Sequence, residues 1–268
     1  MQIGSRNLET AWWGPAPAEA ATLVLLHEGL GCVALWRDIP ERLAAATGCG
    51  VLAYSRFGYG QSDRQPLPWK LTYMQDEARE MLPRVLDEAG IRDAVLVGHS
   101  DGASIAALYA GTARDRRLRG VVLLAPHFFV EDSNIASIAK IRGDYRQGPL
   151  RERLARYHRD PDMAFHGWCD SWLNPGFRHF DITDCIPEID VPILGLQGTA
   201  DPYGSDEQLL RLKRLARAPC EIAFINRARH SPHLEAKDDT IGRVVQFIRH
   251  LSPRDRGSLA MTDASTSR

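Results

Sequence analysis

Short, continuously apolar runs recur along this chain, separated by stretches whose apolar residues fall at helical spacing. The runs at 22–26, 50–54, 94–98, 121–125, 191–198 and 220–225 are each about as long as one strand, without polar alternation. A strand that is apolar on both sides must be covered on both sides. That is the condition of a mostly parallel sheet lying between two layers of helices. Helices are expected between the runs, at 35–46, 74–89, 103–110 and 206–216, with a last one at 238–250. Pro83 lies inside the second of these and predicts a kink there. Such sheets bind ligands beyond the carboxyl ends of their strands. Three of these ends carry His27, Ser100 and Asp201.

Directly after the run at 94–98 comes Gly98-His99-Ser100-Asp101-Gly102. Small residues two positions either side of a serine let a strand reverse sharply into a helix and push the hydroxyl outward, as in a G-x-S-x-G nucleophile elbow. The competing reading makes Ser100 an ordinary helix N-cap. Its place between an apolar strand and the small-residue stretch ASIAALYA favours the elbow.

A serine nucleophile needs a base, and the base needs an orienting acid. Asp201 follows PILGLQG and His230 follows EIAFI, giving the chain order Ser100, Asp201, His230. His233 is the rival base in the same loop, with packing, a hydrogen bond or pocket lining as its other roles. Asp132, beside Glu131, is the less favoured acid. The backbone N–H groups of Gly29 and Asp101 are the expected oxyanion donors, being fixed before charge develops. Glu28 stands beside that site. An inward carboxylate would repel an oxyanion, so it is expected to turn toward backbone groups or Arg56, with substrate positioning as the alternative.

Between 129 and 188 strand signals lapse, while Trp168 and Trp172 share an i,i+4 spacing. This segment reads as an inserted helical lid whose tryptophans either pack internally or touch an apolar substrate. The domain expectation is a first core part at 1–128, the lid at 129–188, a second core part at 189–251 and a mobile polar tail at 252–268. Near-equal counts of 33 basic and 34 acidic side chains give no basic stripe for nucleic acid. Gly29-Leu30-Gly31 lacks the longer nucleotide-binding patterns. No compact metal-ligand set stands out: His158 and His166 read as lid surface or pocket groups, so neither metal nor cofactor is expected. Five unpatterned cysteines suggest free thiols, and no apolar run approaches the roughly 18 residues of a membrane helix. The expectation is a cytoplasmic protein with a small-molecule substrate and no membrane partner; a homodimer stays open.

Taken together, LVLLHEGLG, YSRFGYGQSD, VLVGHSDGASIA, LGLQGTADPYG and RHSPHLE resemble the α/β-hydrolase superfamily, in particular its small cap-bearing esterases and lactonases. The resemblance covers roughly 23–251. It implies an α/β-hydrolase fold with an eight-stranded, mostly parallel sheet and the triad Ser100, Asp201 and His230. Glu28 departs from the glycine usual after the histidine, and Asp101 differs from the residue many relatives carry after the nucleophile. The implied chemistry is hydrolysis of a carboxylic ester or lactone through an acyl-enzyme. C–C cleavage, thioester hydrolysis and acyl transfer use the same triad and remain alternatives, as does a noncatalytic binding protein.

Overall fold

The computed structural model describes residues 1–251; the tail expected at 252–268 lies outside the described residues. A short hairpin of β1 (Gln2–Ile3) and β2 (Arg6–Asn7) precedes the main sheet. That sheet comprises β3 (Thr10–Trp13), β4 (Thr22–Leu26), β5 (Gly50–Tyr54), β6 (Ala94–His99), β7 (Leu118–Leu124), β8 (Ile193–Gly198) and β9 (Cys220–Ile225). Its spatial order is β3-β5-β4-β6-β7-β8-β9, and β3 alone runs antiparallel to its neighbour. Among the described residues the main sheet therefore has seven strands, not the expected eight. The first residues pair with each other across a turn containing Gly4 and do not extend the sheet beyond β3. β3 escapes the sequence pattern because TAWW holds only three apolar residues in a row, shorter than the other runs, and does not alternate.

The helices are α1 (Ile39–Thr47), α2 (Tyr73–Asp76), α3 (Leu82–Glu88) and α4 (Asp101–Thr112), then α5 (Asp132–Gln147), α6 (Leu150–Leu154) and α7 (Pro161–Trp172) between β7 and β8. After β8 come α8 (Glu207–Leu215), α9 (Pro232–Glu235) and α10 (Lys237–His250). Period-two alternation divides the core into two layers. Leu23, Leu25, Val95 and Val97 face the layer that includes Leu43 of α1 and Val244 of α10. Val24, Leu26, Leu96 and Leu123 face the layer of α4, α8 and the insert. The single helix expected at 74–89 is split, with a π turn over Glu77–Met81 between α2 and α3. Pro83 cannot donate to the residue four back and its ring crowds that carbonyl, so the wider turn just before it absorbs both defects.

The insert is tied to the core by buried polar groups. His158 accepts a hydrogen bond from the Gly60 N–H (2.9 Å) and its other ring nitrogen faces the Leu30 carbonyl (3.0 Å). Fully buried Gln208 of α8 accepts from the Phe128 N–H (2.8 Å) and donates to the Phe129 carbonyl (3.0 Å) and the Glu131 carboxylate (2.8 Å). Gln208→Ala would strand these backbone groups, each orphan costing about 1–3 kcal/mol. We expect a loss of roughly 2–4 kcal/mol, read as a lower denaturant midpoint at unchanged slope.

Candidate active site

The strand β6 passes into α4 through Ser100, whose φ of 54° and ψ of −119° lie in a region that L-residues rarely occupy. Packing around the turn explains its glycines. A Cβ on Gly98 would stand 2.2 Å from the Gly102 carbonyl oxygen, and one on Gly102 would stand 1.9 Å from that of Leu26. Neither neighbour is a flexible side-chain end, so only glycine fits.

The fold brings the three residues of the expected triad together. His230 Nε2 lies 2.9 Å from Ser100 Oγ, and His230 Nδ1 lies 2.9 and 3.0 Å from the two Asp201 carboxylate oxygens. Asp201 also accepts from the Tyr203 N–H at 2.9 Å. Burial opposes its ionisation, but the hydrogen bonds from His230 and from the Tyr203 N–H prevail and hold the carboxyl below its ordinary range. Asp132 instead pairs with Arg178 on the surface, and Glu131 caps α5.

His27 fixes the loop after β4. Its Nε2 accepts from the Arg56 N–H at 3.0 Å and its Nδ1 donates to the Glu28 carbonyl at 2.7 Å, a pattern that requires the neutral ring. The buried Arg56 guanidinium donates to the His27 and Glu28 carbonyls at 2.5 and 3.0 Å. Arg56 thus meets the backbone of this loop, and the Glu28 carboxylate, expected to turn to backbone groups or Arg56, meets a backbone N–H and faces His99, 3.4 Å from Nδ1, while Arg56 is not its partner. Asp101, in the first turn of α4, has its carboxylate engaged by the Tyr73 hydroxyl (2.6 Å) and the Trp172 indole N–H (3.3 Å). Burial pushes its carboxyl up, against the pull of Arg56.

A cavity of about 290 Å³ opens over Ser100. Its lining includes Glu28, Gly29, Asp101, Trp168 and Trp172 from the expected set. Trp168 lies so close over the loop that a Cβ on Gly29 would meet its Nε1 at 2.0 Å. His233 does not line the cavity. It is buried, with its ring 5.1 Å from that of Trp36 and 4.6 Å from that of His99, because α9 begins at Pro232 and turns it inward. His158 docks the insert as described above, and His166 pairs with Asp170 at the surface. Among the described residues, no group of three or more His, Cys, Asp or Glu side chains is placed to hold a metal ion, and no helix is long and apolar enough to cross a membrane.

A sequence model described as the α/β hydrolase fold matches residues 21–179. This chain belongs to the α/β-hydrolase fold family. It is 28% identical to a non-heme chloroperoxidase of Streptomyces lividans over 71% of this chain and 78% of that one. Its fold is similar to the crystal structure of an enol-lactonase from Burkholderia xenovorans (TM-score 0.72, 19% identity, 92% of this chain and 98% of that one). It is also similar to that of a 2-hydroxy-6-oxo-6-phenylhexa-2,4-dienoate hydrolase from a Rhodococcus species (TM-score 0.77, 18% identity, 92% and 96%).

This α/β hydrolase gathers its candidate site from separated strand ends. Sequence reasoning passed over His127, Asn134, Tyr203 and Arg229, all of which line the cavity. His127 had a usable signal, standing just past the carboxyl end of β7, but its segment reads as the boundary of the insert. Its ring stacks 5.5 Å from that of His230, and burial pushes it down to about 3, with His230 adding to the effect. Burial likewise lowers His27, His158 and His233. A histidine that is neutral when folded binds a proton more readily when unfolded, so its contribution is present above the unfolded pKa and is lost as pH falls toward the folded one. For His127 the window runs from about 6.5 down to about 3. Folding stability should therefore drop on acidification. His127→Gln should shrink the fall between pH 6.5 and 5 by roughly 2 kcal/mol, measured by denaturant titration at both pH values.

Proposed function

We propose that this α/β hydrolase cleaves a small carboxylic ester or lactone through an acyl-enzyme, with Ser100 as nucleophile, His230 as base and Asp201 as the acid that orients it. The observation that carries the reading is the hydrogen-bonded line from Ser100 through His230 to Asp201, opening on the cavity. In the forward step His230 takes the Ser100 proton as the oxygen attacks the substrate carbonyl. The developing oxyanion is received by the backbone N–H groups of Gly29 and Asp101; the latter is the first residue of α4, where N–H groups lack intrahelical acceptors. His230 then protonates the leaving alcohol. Water repeats the attack on the acyl-enzyme and releases the acid, and Asp201 stabilises the charged imidazole throughout.

The size of the cavity argues for small substrates, since it lies near the lower end of pockets that enclose a ligand. Trp168 offers an apolar wall, and the Trp172 N–H is already committed to Tyr73 and Asp101. Hydrolysis of p-nitrophenyl acetate, butyrate and octanoate and of a γ-lactone, compared between wild type and Ser100→Ala, tests the proposal. We expect turnover by wild type alone, with acetate and butyrate ahead of octanoate. Normal turnover by Ser100→Ala would remove the nucleophile assignment. No turnover by either would move the reading to C–C, thioester or acyl-transfer chemistry or to noncatalytic binding, and covalent labelling of Ser100 by a fluorophosphonate would separate the last of these. Asp201→Asn should lower kcat by about a hundredfold or more; an unchanged single-turnover rate would remove its role.

A further inference from the structure

His99 precedes the nucleophile and is almost wholly buried. Each of its ring nitrogens faces an acceptor. Nε2 lies 2.7 Å from the His230 carbonyl oxygen, and Nδ1 lies 3.4 Å from Glu28 Oε2. A carbonyl has no proton to give, so Nε2 must carry one. A neutral ring protonated there would turn the lone pair of Nδ1 toward a carboxylate, which is repulsive. One further proton must therefore lie between Nδ1 and Glu28.

Three elements of the candidate site meet at this pair. Glu28 belongs to the loop that carries Gly29, His99 ends β6 immediately before Ser100, and the accepting carbonyl is that of His230. The loop is folded tightly around the carboxylate, for a Cβ on Gly31 would meet Glu28 Oε2 at 2.4 Å. We propose that Glu28 and His99 form a carboxylate–imidazolium pair that positions the oxyanion loop against the base loop, with His99 protonated on both ring nitrogens.

The surrounding groups fit this assignment. Facing His99 are His230, His233 and His127, with Lys237 beyond His233. His27, His158, Cys32 and Tyr59 lie within electrostatic reach of Glu28. Burial and its histidine neighbours disfavour a charge on His233, and burial holds His27 and His127 neutral, leaving Glu28 as the anionic partner of His99. Burial works against ionisation of Glu28, but the facing His99, with His27 and a backbone hydrogen bond, holds its carboxyl far below the usual range. The positioning role rests on the serine-hydrolase reading above, whereas the charge state of the pair does not.

The test is nitrogen-15 NMR of protein labelled at its nine histidines, recorded at pH 8, where solvent-exposed imidazoles are neutral. We expect one doubly protonated imidazole in wild type and its disappearance in Glu28→Gln, a near-isosteric change that keeps a hydrogen-bonding group but removes the charge. Finding every imidazole neutral in wild type, or an imidazolium that Glu28→Gln leaves unchanged, would overturn the pair. In kinetics on a confirmed substrate, Glu28→Gln should lower kcat roughly ten- to a hundredfold with KM within about twofold. An unchanged kcat alongside loss of the imidazolium would overturn the positioning role. If wild type shows no Ser100-dependent turnover, the serine-hydrolase reading fails, and the spectrum, which needs no substrate, still decides the charge state.

Discussion

Between β6 and α4 the chain reverses within a single residue, and the backbones on either side come closer than any side chain would allow. Gly98 lies against the Gly102 carbonyl, and Gly102 against that of Leu26 at the end of β4. This contact sets the height of Ser100 above the sheet and fixes where the loop after β4 must pass. Every other group of the candidate site is placed relative to it. His230 and Asp201 approach from β9 and β8, the two strands farthest along the sheet from β4.

Holding that arrangement requires burying polar and charged groups, which is costly unless each finds a partner. Arg56 is buried yet spends its guanidinium on the carbonyls of His27 and Glu28, so a cation stabilises the backbone of the loop. The Asp101 carboxylate is occupied by Tyr73 and Trp172. That arrangement leaves the backbone of Asp101 in place at the start of α4 while its negative charge is tied up by hydrogen bonds.

The segment between β7 and β8 closes the site from above and shares its polar anchors with the core. Trp172 both lines the cavity and binds Asp101, so helix α7 is seated on the first turn of α4. His158 and Gln208 fasten two other points of the same segment. The wall of the cavity is built by side chains from several elements at once, among them Trp168 of α7, Tyr203 after β8 and Arg229 before His230.

A mostly parallel sheet covered on both faces was implied by apolar runs alternating with helical stretches, because a buried parallel strand must be apolar on both faces and its crossover must be amphipathic. The positions of Ser100, Asp201 and His230 could be read because each stands within a few residues of the end of such a run, and the glycines flanking Ser100 betray the sharp turn. β3 and the inward turn of His233 could not be read this way, since a half-buried edge strand lacks an apolar signature and the entry angle of α9 depends on what it packs against. Nor could the partner of Glu28, the cavity-lining place of His127 or the number of strands in the sheet. By itself, then, the sequence determined which residues could do chemistry and on which strand ends they stand. Only the tertiary structure decided which buried groups share protons and charges, because those pairings join residues such as Glu28 and His99, 71 apart in the chain, whose meeting depends on the packing of the whole sheet.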